Sequence, residues 1–235
     1  MSSSNNNILI TGADRGIGLG LVRHYLERGE SVVATSRRIE PSRELADLAE
    51  TCTERVRLMS LDVVDEESIS RFGDEIGRKR ITFTTVISNA GVTVAEDFGR
   101  WTAKGFSSNL LVNTVGPALL VQAIESSLER GAKVVQISSG MGSIELNINP
   151  ENGLDAYAVS KCGLNMLSRR LAEKLRPRGV IVMSLDPGWV KTDMGGPEAP
   201  TEVNDAVHNI TSTVERAGMD DAGHFLSSDG SKIPW

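Results

Sequence analysis

Tyr157 and Lys161 stand four positions apart in AYAVSKCG (156–163), a spacing that on a helix sets a phenol and an ammonium side by side on one face. Such a pair can move a proton, with the phenol as the acid and the neighbouring cation favouring its phenolate. The same spacing also arises by chance, so the pair gains meaning only from the chemistry around it. Ser138, Ser139 and Ser143 follow an apolar run in ISSGMGS. Serines in a glycine-rich loop ordinarily satisfy backbone groups, which leaves each of them open as structural or catalytic. G-x-S-x-G is absent, and His24, His208 and His224 occupy no telling positions, which argues against a Ser-His-Asp hydrolase. Neither these histidines nor Cys52 and Cys162 have metal-ligand spacing, so no metal is expected.

A second constellation suits a phosphate. TGADRGIG (11–18) follows an apolar run and places Gly12, Gly16 and Gly18 where a chain turns sharply into a helix. The helix then offers unpaired N–H groups and its positive end to an anion. The spacing is G-x-x-x-G-x-G and not the commoner G-x-G-x-x-G. About 20 residues further on, an NAD-binding chain carries an acid for the ribose 2′-hydroxyl; here the sequence reads Ser36-Arg37-Arg38. A carboxylate would repel a 2′-phosphate, whereas a guanidinium pairs with it in a fork. NADP(H) is therefore expected over NAD(H), with Arg15 able to approach the same phosphate and Arg38 read as a solvated charge. Asp62-Val63 could address an adenine; on its own Asp62 reads as the N-cap of the helix opening DEESI. Asn89-Ala90-Gly91 are small residues suited to close approach of a flat ligand.

The segments that must position these residues alternate. Strands are predicted at NILIT (7–11), SVVATS (31–36), VRLMSLD (56–62), FTTVISN (83–89), AKVVQIS (132–138) and GVIVMSLD (179–186). Several are continuous apolar runs, as parallel strands buried on both faces require. Helices are predicted near 16–29, 41–52, 65–79, 101–130 and 156–176; in the last, Leu164, Leu167, Leu171 and Leu175 form one face. The alternation predicts an α/β single-domain, doubly wound (Rossmann) parallel sheet over 7–235, after a disordered tail at 1–6. Ligands of such sheets bind at the carboxyl ends of strands, and the glycine turn, Ser36-Arg37, Asp62-Val63, Asn89-Ala90-Gly91 and the serine loop each lie at the end of a predicted strand.

Composition narrows the function classes. A net charge of −6 argues against nucleic-acid binding, which needs a basic surface. No apolar run approaches the roughly 20 residues of a membrane helix, and MSSSNNN lacks the features of a signal peptide. Two cysteines fit reduced thiols in a cytoplasmic protein.

Taken in order, TGADRGIG, Asp62-Val63, SNAG (88–91), Asn113 in LLVNTVGP, Ser139, YAVSK and DPGWVKT (186–192) resemble the short-chain dehydrogenase/reductase family over essentially the whole chain. DPGWVKTDMGGPEAP and the ending GHFLSSDGSKIPW look like the subgroup of the bacterial C-factor and the sniffer-type carbonyl reductases. The resemblance implies a catalytic set of Asn113, Ser139, Tyr157 and Lys161. Tyr157 would give its proton to the carbonyl oxygen as general acid, and Lys161 and the oxidised nicotinamide would lower its pKa. Lys161 would also hold the nicotinamide ribose, Ser139 the substrate oxygen, and Asn113 a helix kink and a relay water. Cofactor contacts would come from Gly12, Asp14, Arg15, Gly16, Ile17 and Gly18 in the first turn, then Ser36, Arg37, Asp62, Val63, Asn89, Ala90 and Gly91. Pro187, Gly188, Val190 and Thr192 would join Tyr157 and Lys161 around the nicotinamide.

Three departures accompany the resemblance. The interval from Ser139 to Tyr157 is long, which implies an extended substrate wall shared with the subgroup. Asp186 replaces the subgroup's His, with its backbone expected to matter more than its side chain, and Ser88 replaces an Asn. The expectation is an NADPH-dependent reductase of an aldehyde, ketone or quinone; the alternative is a dinucleotide-binding sensor or signalling protein with little turnover. Met141, Trp189, Met194 and Phe98 are expected to line an apolar substrate pocket. A homodimer through the helices near 101 and 156 is expected, with a tetramer second.

Overall fold

The structure, a computed structural model, describes residues 7–37 and 42–235; the expected tail at 1–6 and Arg38 lie outside the described residues. The apolar runs form β1 (Asn7–Thr11), β2 (Ser31–Ser36), β3 (Val56–Ser60), β4 (Phe83–Ser88), β5 (Leu128–Ile137) and β6 (Ile181–Asp186), and a short β7 (Phe225–Ser227) joins them. All pair in parallel in one sheet of order β3-β2-β1-β4-β5-β6-β7. Strand order reverses between β1 and β4, the point at which such sheets open a crevice. Leu9, Ile10, Ile87, Val134, Val135, Val182 and Met183 are fully buried, because helices cover both faces and leave no polar side to alternate with.

Those helices are α1 (Gly16–Glu27), α2 (Arg43–Thr51), α3 (Glu66–Arg78), α4 (Ala103–Leu110), α5 (Gly116–Ile124), α6 (Asp155–Leu175) and α7 (Val203–Arg216). The cap of α3 is Asp65, which accepts the Glu67 N–H at 3.0 Å. Asp62 is therefore not the cap: its Oδ1 accepts the Val64 N–H at 3.1 Å, and the chain turns once more before the helix begins.

The helix predicted over 101–130 is not continuous. A π turn at Leu111–Val115 separates α4 from α5, and a short 3₁₀ turn at Glu125–Ser127 leads into β5 at Leu128. The wider turn coincides with an inward-pointing amide. Asn113 Oδ1 accepts the Val92 N–H at 2.9 Å, and its Nδ2 donates to the Val92 carbonyl and to Ser160 Oγ, each at 2.9 Å. An extra residue in the turn lets Asn113 reach this strand-end segment while both flanking helices keep their own packing faces.

Two elements beyond residue 186, α7 and β7, have no counterpart among the predicted ones. The apolar stripe of α7 (Ala206, Val207, Ile210, Val214) is buried, and Val203 and Val207 fill the space that a Cβ on Gly20 of α1 would need. After β7 the chain doubles back: the Ile233 N–H donates to the Phe225 carbonyl at 2.8 Å, with an antiparallel bridge between Leu226 and Lys232. This return strap carries Pro234 and Trp235 to the loop that follows Ser139. The Pro234 carbonyl accepts from Ser143 Oγ at 2.7 Å, and the Trp235 carbonyl accepts the Glu145 N–H at 2.8 Å. The indole stacks on Phe225 at 6.0 Å, with the Arg169 guanidinium 5.6 Å from its centre.

Two outcomes follow from this packing. Trp235→Ala should release the loop, so that amides near Glu145 exchange with deuterium roughly tenfold faster, equivalent to about 1.4 kcal/mol of lost local stability; unchanged exchange there would show that the strap holds nothing. In α1, a Cβ at Gly18 would lie 2.1 Å from the Gly12 carbonyl oxygen. Gly18→Ala should therefore lower unfolding stability by about 3 kcal/mol, read by denaturant titration.

Candidate active site

A cleft of about 780 Å³ runs along the carboxyl edge of the sheet. Of the predicted cofactor residues, all but Gly18 border it, and Gly18 packs beneath the first turn. Ser139, Tyr157 and Lys161 border its far end, while Asn113 lies behind them.

The end at the first turn is sewn together by strand-end hydrogen bonds. Thr11 Oγ1 accepts the N–H groups of both Asn89 and Ala90 at 3.0 Å. Asn89 Nδ2 in turn donates to the carbonyls of Thr11 at 2.9 Å and Gly12 at 3.1 Å. β1 and β4 thus separate in a fixed geometry, with Gly12 at φ +62° and its missing Cβ leaving room for Ala90 2.9 Å away. Asn89 builds the turn itself. At the end of β2, exposed Arg37 borders the cleft where an NAD site would carry an acid. Arg15 also borders the cleft, and its exposed guanidinium pairs at 2.8 Å with Asp193, on the segment after β6.

At the other end β5 stops at Ile137, and the Ser138 N–H donates to the Leu185 carbonyl at 2.7 Å. Ser138 Oγ donates to Asn165 Oδ1 at 2.7 Å, so this serine is structural. Ser139 Oγ accepts the Met141 N–H at 3.2 Å and opens toward the cleft. α6 brings in Tyr157 on its first turn and Lys161 on its second. Lys161 is 5% exposed, donates from Nζ to the Ile137 carbonyl at 2.8 Å, and lies 5.5 Å from the centre of the Tyr157 ring.

Burial sets the charge states. It pulls the Lys161 pKa down to about 8, with the Asp186 carboxylate working in the opposite direction. It pushes the Tyr157 phenol up to about 12; the Ser139 hydroxyl lowers it and Asp186 adds to the rise. The lowering was expected from Lys161 and the oxidised nicotinamide together; in the protein by itself the phenol stands above its ordinary value. The ammonium turns to the Ile137 carbonyl, and desolvation of the phenol outweighs the Ser139 hydrogen bond that opposes it. Tyr157 stands protonated across the neutral range.

Residues that the sequence pattern does not single out complete this end. Ser160 Oγ accepts from Asn113 and donates to the Tyr157 carbonyl at 2.7 Å, tying the π turn to α6. Asn109, one turn before Asn113, holds the Val94 backbone in the same manner, with Nδ2 on its carbonyl at 3.2 Å and Oδ1 on its N–H at 3.3 Å. Two buried amides four apart on a helix were the available signal. Gly91 fits between: a Cβ there would lie 3.4 Å from Asn113 Oδ1 and 3.9 Å from Lys161 Nζ.

The long interval from Ser139 to Tyr157 forms a 3₁₀ turn (Gly140–Gly142) and then a lip. Asn147 and Asn149 adopt left-handed backbone there, at φ +43° and +50°. Met141, Ile148, Leu154, Trp189 and Met194 give this part of the cleft an apolar wall. Phe98 is not part of it; it is 84% exposed and packs edge-on against Trp101. The Asp186 side chain also has a structural task that its backbone cannot perform: Oδ1 accepts the Gly188 N–H at 3.0 Å. Among the described residues no cluster of His, Cys, Asp and Glu could hold a metal, and no helix is long and apolar enough to cross a membrane.

Known proteins share this fold. The family model for short chain dehydrogenases matches residues 6–203. The C-signal of Myxococcus xanthus is 35% identical over 158 residues, covering 64% of this chain and 91% of that protein. Among solved structures, the carbonyl reductase Sniffer of D. melanogaster superposes with a TM-score of 0.91 at 31% identity, covering 98% of this chain and 99% of Sniffer. The NADPH-bound carbonyl reductase from chicken fatty liver gives 0.90 at 31%, with the same coverage. With the family model spanning most of its length and the cleft in the corresponding sheet, the chain belongs to the short chain dehydrogenase family.

Proposed function

We propose that the protein is an NADPH-dependent reductase of small carbonyl compounds, with Tyr157 as the proton donor. The observation that carries this reading is a phenol kept protonated by burial, beside the Ser139 hydroxyl and within 5.5 Å of a buried lysine. A general acid must hold its proton until charge develops on the substrate oxygen, and this environment satisfies that requirement.

The cleft also fits the cofactor. The first turn lacks side chains where a pyrophosphate must approach, since a Cβ on Gly12 would collide with Ala90. Arg37 at the end of β2 supplies a guanidinium for a 2′-phosphate where a carboxylate would oppose it. NADPH, when bound, supplies the hydride; the protein supplies position and electrostatics. Lys161 would hold the nicotinamide ribose, and Pro187, Gly188, Val190 and Thr192 would enclose the ring. Ser139 would donate to the substrate oxygen and orient it toward Tyr157. As the phenol gives up its proton, the Lys161 ammonium one turn away stabilises the phenolate. Asn113 maintains the distance between the π turn and α6 through Ser160. The apolar lip would exclude water and favour an uncharged substrate.

The chemistry belongs to a single domain that we place in the cytoplasm, with Cys52 and Cys162 free thiols. Leu111, Val115, Val159 and Met166 are exposed on the π turn and α6, a face suited to pairing as a homodimer. The likeness to the C-signal favours a second reading, a signalling protein that binds the dinucleotide with little turnover.

Following NADPH absorbance with a panel of aldehydes, ketones and quinones separates the two. Tyr157→Phe should cut kcat by about 10²–10⁴-fold while NADPH still binds; equal rates would remove Tyr157 from the reaction, and no turnover by the unaltered protein would favour the signalling reading. Arg37→Ala should weaken NADPH about 10–100-fold, as loss of a charge-assisted pair implies, and leave NADH nearly unchanged. Tighter binding of NADH than NADPH by the unaltered protein would overturn the cofactor assignment.

A further inference from the structure

The Asp186 carboxylate enters none of these steps, yet it stands among the groups that do. It closes β6 and borders the cleft. Oδ1 accepts the Gly188 N–H at 3.0 Å. Oδ2 lies against Gly140, where a Cβ would be 3.2 Å from it, and the Gly140 N–H is a second donor to the carboxylate. One of these turns follows Ser139 directly, and the other holds Pro187, Gly188 and Trp189. The side chain thus spans the two walls between which a substrate carbonyl must fit.

Strand register sets it beside Lys161 as well. Ile137 of β5 pairs with Leu185 of β6, and the Ile137 carbonyl is the one that receives Lys161 Nζ. Asp186 is the next residue along β6, so a carboxylate and a buried ammonium share adjoining strand ends. A carbonyl dipole alone compensates poorly for removing an ammonium from water. The attraction is mutual: each charge favours the ionised form of the other against burial.

We propose that Asp186 is a positioning residue that serves as counter-anion to the buried Lys161 ammonium while bracing the Ser139 turn against the Pro187–Trp189 wall. The charged or titratable groups facing it are Lys161 and Tyr157, both from α6. Further along its own segment, Lys191 and Asp193 are paired with Glu202 and Arg15. The sign is fixed. A lysine depressed to about 8 is an ammonium below that pH and neutral above it; without the anion its midpoint falls, and the charge is lost nearer neutrality.

The consequence for catalysis rests on the reductase reading, but the ion pairing does not, and the test keeps them apart. The Lys161 side chain is titrated by NMR in the cofactor-free protein, its resonance identified by its loss in Lys161→Met. Asp186→Asn and Asp186→Ser both leave an oxygen for the Gly188 N–H while removing the charge, and either folded variant suffices. The expected result is a midpoint near 8 in the unaltered protein and about one pH unit lower in the variants. The alkaline limb of NADPH binding, followed by fluorescence, should move with it. A purely structural Asp186 would weaken binding equally at all pH values and leave the limb in place. An unmoved Lys161 midpoint overturns the proposal. A shifted midpoint in a protein that reduces no carbonyl upholds it and overturns the reductase reading instead.

Discussion

Parallel strands leave carbonyl and amide groups unpaired where they end, and the cleft lies along that edge. Buried backbone groups of this kind must find partners. Here side chains supply them: Asn89 for the carbonyls of Thr11 and Gly12, Lys161 for that of Ile137, and Thr11 for the amides of Asn89 and Ala90 just past the end of β4. These bonds fix how far β1 and β4 part and where α6 sits above β5. Remove them and Ser139, Tyr157 and Lys161 have no common frame.

The same economy creates the electrostatics. A lysine used to close a strand end is a charge taken out of water, and a tyrosine packed beside it is a phenol taken out of water. Desolvation drives their pKa values in opposite directions. Each thereby becomes more nearly neutral than it would be in solution, until a substrate or a cofactor alters the balance. A polar network of this kind is useful because all its members are held in place: Asn113, Ser160 and the Tyr157 carbonyl form one chain of contacts, and slack in one would be transmitted to the others.

Much of this was legible in the residue order. Continuous apolar runs identify buried parallel strands because both faces are covered, and six of the strands were readable to within a few residues. β7 was not, since three residues carry no period, and α7 begins in a polar stretch whose β-branched residues mask its helical face. Tyr157, Lys161 and the first turn could be picked out by type and spacing, whereas only the family resemblance separated Ser139 from Ser138 and Ser143. Asp186, Ser160 and Asn109 could not, because an Asp after a strand or a Ser on a helix is ordinary until its partner is known. Arg15 too has a partner that distance along the chain hid, Asp193, with which its guanidinium pairs. The burial that raises the Tyr157 pKa in the protein by itself was not legible either, since spacing conveys proximity to a cation but not depth.

The π turn at Leu111–Val115 has a consequence for how this chain can vary. A helix with one surplus residue is out of phase with itself: the stretch before the turn aims Asn109 at the Val94 segment, and the stretch after it aims Leu120, Val121 and Ile124 into the core. Deleting a single residue there would restore a regular helix and rotate one half by about 100° against the other. Either the core or the amide pair would then face the wrong way. Length in this short segment is therefore under tighter constraint than composition, and a change of side chain is better tolerated than a change of count.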